Sequence, residues 1–292
     1  IGQVYAANTA GAIVGVLLAV HVGLPLAGLK LTIAAAACVD IVLGLALIHG
    51  HLKASTWRAT VAAMVVIVAG AIVWVDLDPK QMASGVFRYG RLDQLNDASI
   101  VYAGDGKTAT VHVVRYPVGI HGILTNGKTD SSMQLDPGPG VQRSLDEYNM
   151  ALLSALPMAG NINARRTAVI GFGAGLSTHV MLGNPKLDIV DTIEIEPRMV
   201  EASRVFHPRV FRGFDDPRSV FRYDDARTFF AASKTPYDII VSEPSTPWVS
   251  GVASLYTEEF YTQVKRNLTD KGLFAQWLHG SELSMNLTAL VG

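Results

Sequence analysis

A glycine-rich turn followed at a set distance by an acid is the clearest chemical pattern in this sequence. An apolar strand pattern ends in Gly171, Gly173 and Gly175, and a helical pattern follows. Such a turn lets a ligand approach the backbone closely, and the helix N-terminus offers free N–H groups. Glu194 lies 23 residues after Gly171, where a carboxylate can accept hydrogen bonds from a ribose. We therefore predict a nucleoside site here, with a tight turn that binds no ligand as the alternative.

Alternating strand and helix patterns surround this turn. We predict strands at 167–171, 189–195, 220–223, 237–242 and 272–277, and helices at 176–182, 198–206, 226–232 and 257–267. This order is typical of an open α/β parallel sheet wound on both sides, which binds ligands outside the carboxyl ends of its strands. Acids follow three of those strands, at Glu194, Asp224–Asp225 and Glu243.

The preceding stretch, residues 79–140, is predicted to be a small β-rich subdomain with two hairpins. In the first turn we expect Gly104 and Gly106 to take positive φ angles, and Asn126-Gly127 is a strong signal for the second turn. Ser144 and Glu147 then predict a capping box at the start of a helix. The remaining residues, 141–292, form the predicted Rossmann-like ligand-binding domain.

Residues 1–78 differ in composition from the rest of the chain. The first 75 residues contain only four that are Asp, Glu, Lys or Arg: Lys30, Asp40, Lys53 and Arg58. Three apolar runs of 17, 18 and 16 residues occur at 10–26, 31–48 and 60–75, near the roughly 20 residues that a helix needs to cross a bilayer. We predict about three transmembrane helices and an integral inner-membrane protein, with three buried helices of a soluble protein as the alternative.

The orientation in the membrane is argued from charge and from the ligand, and the two arguments disagree. The basic loop that carries His49, His51, Lys53 and Arg58 should be cytoplasmic by the positive-inside rule, which places residues after 76 on the other side. A nucleoside ligand instead favours a cytoplasmic soluble domain, and we give the ligand argument more weight.

Several other classes of site are disfavoured by composition. The net charge of −1 gives no case for nucleic acid as a partner. The single cysteine, Cys38, excludes an intrachain disulfide and a cysteine-based zinc site. The histidines lack metal-ligand spacing, so we expect no metal.

Residues from about 98 to 280 resemble the spermidine/spermine synthase family, the polyamine aminopropyltransferases, and the whole chain resembles bacterial members in which such a domain follows membrane helices. The resemblance is carried by motifs in chain order at residues 124–128, 169–175, 193–196, 216–227, 237–247, 255–261 and 272–276. It implies a class I methyltransferase-like fold and an S-adenosylmethionine or decarboxylated S-adenosylmethionine co-substrate. Within the site it implies Glu194 as the ribose ligand, Asp225 beside the adenine, and an amine as the acceptor. A homo-oligomer is compatible with it.

Two departures from the family's pattern affect the acceptor half of the site. The family's D-S-x-D-P motif places Glu243 and Thr246 at its two acidic positions, and a neutral threonine hydroxyl is far too weak a base to accept a proton near neutral pH. The family's diamine-binding Tyr-x-Glu falls on residues 149–151, which carry no acid. Glu243 is then either the general base or a carboxylate that orients the ligand's amino group.

Three side chains are candidate pocket residues: Trp248, Tyr256 and Gln276. Trp248 could stack on a sulfonium by a cation–π contact, and ordinary packing is the alternative for each residue. Three functions stay open. The first is aminopropyl-type transfer to an amine. The second is methyl transfer, or another use of S-adenosylmethionine, and the third is a non-catalytic nucleoside sensor coupled to the membrane helices.

Overall fold

The apolar region at the start of the chain is mostly helical, with a turn at residues 49–53. The computed structural model describes residues 2–92, 95–136, 138, 141–233, 235–247 and 251–278. Helix α1 (Gly2–Leu18) continues through a π-helical turn (Ala19–Gly23) into α2 (Leu24–Ile48), and α3 (Ala54–Trp74) follows. Gly28 interrupts α2 with a φ of 74°. By length and composition, Gly2–Ile48 and Ala54–Trp74 are two segments long and apolar enough to cross a membrane.

Two short helices and an antiparallel sheet come next. The helices are α4 (Pro79–Ala83) and α5 (Val86–Tyr89), and the strands are β1 (Ser99–Asp105), β2 (Thr110–Arg115), β3 (Ile120–Thr125) and β4 (Lys128–Gln134), in the spatial order β1-β2-β3-β4. Asn126 and Gly127 both have positive φ angles, 49° and 79°, as a tight two-residue hairpin turn requires.

The expectation for the first hairpin was wrong, because neither Gly104 nor Gly106 has a positive φ. Gly106 is needed for space instead. The Glu196 carboxylate occupies the position where a Cβ on Gly106 would lie, and the same carboxylate accepts hydrogen bonds from Thr108.

A β-bulge interrupts the pairing of β3 with β4 at Asp130. Ile123 pairs with Ser131 and Leu124 pairs with Thr129, so Asp130 has no partner residue on β3. Bulges of this kind redirect a side chain and are frequent beside functional sites.

Within the described residues, the second sheet has five strands, all parallel, in the order β7-β6-β5-β8-β9. This confirms the predicted doubly wound α/β sheet. The strands are β5 (Arg166–Ile170), β6 (Ile189–Glu194), β7 (Ser219–Tyr223), β8 (Tyr237–Ser242) and β9 (Leu268–Gln276). The helices are α6 (Leu145–Gly160), α7 (Leu176–Met181), α8 (Pro197–Ser203), α9 (His207–Val210), α10 (Arg212–Asp215), α11 (Ala226–Ala232) and α12 (Glu258–Arg266), with 3₁₀ turns at Arg204–Phe206 and Val252–Tyr256.

The direction of winding reverses between β5 and β8. From β5 the chain runs outward through β6 and β7, then returns to place β8 on the other side of β5. In open α/β sheets the ligand crevice lies at this switch point, outside the carboxyl ends of the strands. The predicted capping box of Ser144 and Glu147 is present at the start of α6.

The small sheet packs against helices of the larger domain in one hydrophobic cluster. Val111, Val113 and Met133 of the small sheet pack in one buried cluster with Met199 and Ala202 of α8. Burying apolar surface in common holds the hairpins against the helix that follows β6, so the small sheet covers the carboxyl edge of the parallel sheet.

The break in α2 also contacts the rest of the molecule. The Leu29 amide donates a hydrogen bond of 2.7 Å to the Asp105 carboxylate, beside Gly28. Arg198 at the start of α8 donates to the carbonyls of Asp105 and Pro25, each at 3.2 Å. The apolar helices are therefore tied to the first hairpin and to α8. The domain boundaries at residues 78 and 140 stay predictions.

The Gly127→Ala variant should be less stable than the wild type. An alanine at a φ of 79° is strained, and its Cβ would lie 2.7 Å from the Gly85 amide nitrogen. We expect a loss of about 1–3 kcal/mol, seen as a lower thermal midpoint by circular dichroism in detergent. The matched control is Gly138→Ala, whose Cβ would meet, among the described residues, Val141 at an ordinary 3.5 Å. Equal midpoints for both variants would contradict this account of the turn.

Candidate functional site

The glycine turn between β5 and α7 requires its glycines for conformation and for space. Gly171, Gly173 and Gly175 all have positive φ angles, 87°, 51° and 85°, which non-glycine residues rarely adopt. A Cβ on Gly171 would lie 3.1 Å from the Glu243 carbonyl oxygen, and one on Gly173 would lie 3.1 Å from the Ser131 hydroxyl. The turn therefore sits tightly between β8 and β4, at the switch point.

Glu194 ends β6 and lies beside the turn, as its spacing predicted. One carboxylate oxygen accepts from the Phe172 amide and the other from the Glu196 amide, each at 2.9 Å. The residue is 6% exposed. Burial, together with the nearby Asp130 and Glu196 carboxylates, raises the pKa of Glu194 to about 7 against the lowering effect of the two amide hydrogen bonds.

Asp225 lies at the same edge of the sheet, one strand further out. It caps the N-terminus of α11, where its carboxylate accepts from the Thr228 amide at 3.0 Å. The preceding Asp224 amide donates to the Glu194 carbonyl at 3.2 Å. Asp225 is thus placed next to the end of β6, with its side chain half-buried.

Glu243 follows β8, on the other side of β5 from Glu194. Its amide donates to the Ile170 carbonyl at 3.0 Å, and its carboxylate accepts from the Ser177 hydroxyl at 2.8 Å. The residue keeps some accessible surface, but burial of the carboxylate raises the pKa of Glu243 to about 7, and the Asp146 carboxylate adds to the effect. The glycine turn therefore has an acid on each side.

Thr246 and the predicted pocket residues surround the loop after Glu243. Thr246 is buried, and its hydroxyl has no hydrogen-bond partner within the described part of the chain. Tyr256 donates to the Ser245 carbonyl at 2.9 Å. Gln276 accepts from Tyr261 and donates to the Leu255 carbonyl. Its side-chain amide is therefore bonded to α12 and to the 3₁₀ turn that follows the loop. Trp248 lies outside the described residues.

Sequence reasoning missed the residues that the small sheet and α6 bring to the site. Ser131 accepts from the Ala174 amide at 3.0 Å, and Asp130 accepts from Ser245 at 3.2 Å. The Asp146 carboxylate, in the first turn of α6, contributes to the raised pKa of Glu243. The only signal available for Asp146 was its position one turn before residues 149–151. Across the described residues, no cluster of three His, Cys, Asp or Glu side chains has the arrangement of a metal site.

Comparison with known proteins places this site in a recognisable domain. A model of the spermine/spermidine synthase domain matches residues 147–288. A polyamine aminopropyltransferase of Agathobacter rectalis is 31% identical over 130 residues, which are 44% of this chain and 45% of the relative. One from Streptococcus pneumoniae is 28% identical over 187 residues, 64% of this chain and 61% of the relative. The matches thus span about half to three fifths of these relatives.

Solved structures support the fold. A spermidine synthase crystallised with the transition-state analogue AdoDATO has a TM-score of 0.54 at 21% identity, covering 61% of this chain and 57% of that chain. Spermidine synthase from Thermotoga maritima has a TM-score of 0.51 at 21% identity, and the match covers 61% of this chain and 56% of that chain. The predicted class I methyltransferase-like architecture is therefore confirmed.

The raised pKa of Glu243 predicts a pH-dependent stability. Its folded pKa of about 7 exceeds the ordinary 4.5, so its contribution is fully present below pH 4.5 and is lost as pH rises through 7. The Glu243→Gln variant should match the wild type near pH 4.5 and exceed its stability by about 2 kcal/mol at pH 8. Thermal melts of both proteins between pH 4.5 and pH 8 measure this difference in stability. The control is Glu258→Gln, a change at an exposed glutamate. A wild type that stays more stable at pH 8 would refute the shift.

The family match covers the residues that form the site. The matched residues, 147–288, include the glycine turn, Glu194, Asp225 and Glu243. These groups meet at the switch point of the parallel sheet, in a fold shared with the spermidine synthases. The motifs that suggested this family in the sequence are thus joined in one place. Residues 147–288 of this chain therefore form a domain of the spermine/spermidine synthase type.

Proposed function

We propose that this domain transfers an aminopropyl-type group from an adenosyl sulfonium, decarboxylated S-adenosylmethionine or a close relative, to an amine. Glu243 carries the proposal, because it is a carboxylate beside the glycine turn with a pKa of about 7. A base with a pKa near the working pH is half deprotonated there and can accept a proton efficiently. Thr246, at the other acidic position of the family motif, has no such capacity.

The reaction needs little covalent chemistry from the protein. The amine nitrogen forms a bond to the carbon next to the sulfonium while the carbon–sulfur bond breaks, and sulfur leaves with the electron pair as a neutral thioether. The proton released by the amine passes to Glu243. The protein orients the two substrates and excludes water, which together account for much of the rate enhancement in such displacements.

The other site residues bind the nucleoside. Glu194 accepts hydrogen bonds from the ribose hydroxyls, since each carboxylate oxygen retains a free lone pair beyond its amide partner. Asp225 lies at the adenine side, and the bare backbone of the glycine turn lets the ligand approach. Loss of the Glu194 carboxylate in Glu194→Ala should weaken ligand binding markedly.

The reaction is tested by its products. Purified protein is incubated with putrescine and either S-adenosylmethionine or its decarboxylated form, and products are identified by mass spectrometry. We expect methylthioadenosine and an aminopropylated amine, with a rate that rises with pH through about 7 as Glu243 deprotonates. In Glu243→Gln the rate should fall about 100-fold or more, while the exposed Glu258→Gln keeps it.

Two results would contradict this proposal. Adenosylhomocysteine as the product would assign methyl transfer. Tight binding of the nucleoside with neither product, under all conditions tested, would assign a sensor without catalysis.

We also propose that the apolar helices anchor the domain in a membrane, with the domain on the cytoplasmic side. Large apolar side chains on α2 and α3 face outward, such as Leu26, Leu47 and Trp74 at 82%, 79% and 85% exposure. Such a surface is costly in water and favourable in lipid.

The membrane proposal predicts that the protein stays in the membrane pellet after an alkaline carbonate wash and dissolves only with detergent. A Lys186→Cys variant in a Cys38→Ser background should resist an impermeant maleimide in intact cells and react after lysis. Recovery in the carbonate supernatant would refute anchoring, and labelling of intact cells would place the domain outside.

A further inference from the structure

A cleft lies where the apolar helices meet the small sheet, and we call it the interface cleft. Its volume is about 140 Å³. The residues that line it include Leu29 of α2, Leu77 after α3, Met82 of α4, and the polar residues Asp105 and His112. None of its lining residues belongs to the site at the glycine turn, so its chemistry has to be considered separately.

Strand pairing explains why the polar side chains of the cleft lie together. Ala103 pairs with His112, and Asp105 pairs with Thr110. Paired residues share a face of the sheet and successive residues alternate between faces, so these four side chains lie on one face. Val111, between Thr110 and His112, packs on the other face in the cluster that contains α8. The interface cleft therefore opens on the side of the small sheet that points away from α8.

The cleft lies at one end of the pair formed by α2 and α3. Leu29 directly follows the break in α2 at Gly28, and Leu77 lies three residues after the last residue of α3. Helix α3 has 21 residues, about the length that crosses the hydrocarbon of a bilayer. With α2 and α3 in the membrane, as proposed above, the cleft is at the membrane surface, at the level of the lipid headgroups.

Asp105 supplies the charge of the cleft. Its carboxylate accepts from the Leu29 amide at 2.7 Å and from the Thr110 hydroxyl at 2.8 Å, which fixes its orientation. The Arg198 guanidinium bonds to the Asp105 carbonyl instead and pairs with Glu201. No lysine or arginine is among the described residues that line the cleft. A cation in the cleft would therefore meet a carboxylate, and an anion would meet no positive side chain.

His112 gives a second observation, independent of charge, that indicates a ligand. The residue is 2% exposed, and its Nδ1 atom has no hydrogen-bond partner within the described part of the chain. Buried polar atoms are normally hydrogen-bonded. Burial lowers the pKa of His112 below its ordinary 6.5, so the ring is neutral near pH 7 and one of its nitrogens can accept a hydrogen bond.

These groups fit a primary ammonium carried on an apolar chain. A primary ammonium has three N–H donors, and the Asp105 carboxylate, the Thr110 hydroxyl and the His112 ring offer three acceptors. Leu77 and Met82 provide an apolar wall for the attached carbons. A quaternary ammonium has no N–H to donate and would leave the buried histidine nitrogen without a partner.

We propose that the interface cleft binds the primary ammonium of an ethanolamine-type lipid headgroup, with Asp105 as its counter-ion and His112 as a hydrogen-bond acceptor. This inference rests on the proposed membrane anchoring and assigns a lipid class to it. Asp105 also accepts from the Leu29 amide beside the helix break. A bound lipid therefore contacts the carboxylate that ties the apolar helices to the first hairpin.

Short-chain lipids test this assignment by calorimetry on the full chain in detergent. The wild type should bind dihexanoylphosphatidylethanolamine at least tenfold more tightly than dihexanoylphosphatidylcholine, whose nitrogen carries no hydrogen. Asp105→Asn should weaken binding of the ethanolamine lipid about tenfold or more. The asparagine keeps an oxygen that can accept from the Leu29 amide, but it has no charge.

A second variant blocks the cleft without changing a polar group. Ala103 is exposed and lines the cleft, so Ala103→Leu should fold normally and weaken binding of the ethanolamine lipid to a similar extent. The matched control is Asp97→Asn, a change at an exposed acid near the start of β1, which should bind as the wild type does. Thermal midpoints by circular dichroism check that all three variants are folded.

The outcomes separate this inference from the membrane proposal. Recovery of the protein in the carbonate supernatant would refute both. A protein that stays in the pellet but binds the two lipids equally, or whose Asp105→Asn and Ala103→Leu variants both bind as the wild type does, would overturn the cleft assignment and leave anchoring in place. Ethanolamine without acyl chains should bind much more weakly than the lipid, and equal affinity would overturn the lipid as the source of the ammonium.

Discussion

The backbone conformation of the glycine turn is the constraint on which the rest of the site depends. With three positive φ angles in five residues, the turn directs the Phe172 amide to Glu194 and the Ala174 amide to Ser131. The Gly173 carbonyl accepts from Ser203 of α8. One short segment thus joins the parallel sheet, the antiparallel sheet and α8, and it fixes the orientation of the Glu194 carboxylate.

Two glutamates with the same raised pKa are held in different ways. Both carboxylate oxygens of Glu194 are fixed by backbone amides, so its orientation is set before any ligand arrives and little further ordering is needed on binding. Glu243 accepts from one serine hydroxyl, which can rotate as a proton is gained or lost. A fixed acid suits recognition, and an acid with a mobile partner suits proton transfer.

Much of the parallel sheet and of the nucleoside half could be predicted from the sequence, because their signals are local. Glu194 and the glycines lie at a regular spacing, and the predicted strands fall within a few residues of the observed ones, apart from the start of β9. Asp130 and Asp146 could not be found this way, since contacts between β4, α6 and the loop after β8 bring them together. Gly106 was misjudged for the same reason. Its need for space comes from Glu196, 90 residues later in the chain.

The bulge at Asp130 has a consequence for how related chains are compared. Successive side chains along a strand point to opposite faces, so removing one residue at the bulge would invert the faces of Lys128 and Thr129. Deletion of the Asp130 codon would therefore remove the carboxylate and turn Lys128, its ion-pair partner, to the other face of the sheet. Alignments that close a one-residue gap in β4 without regard to pairing would equate side chains on opposite sides of the sheet.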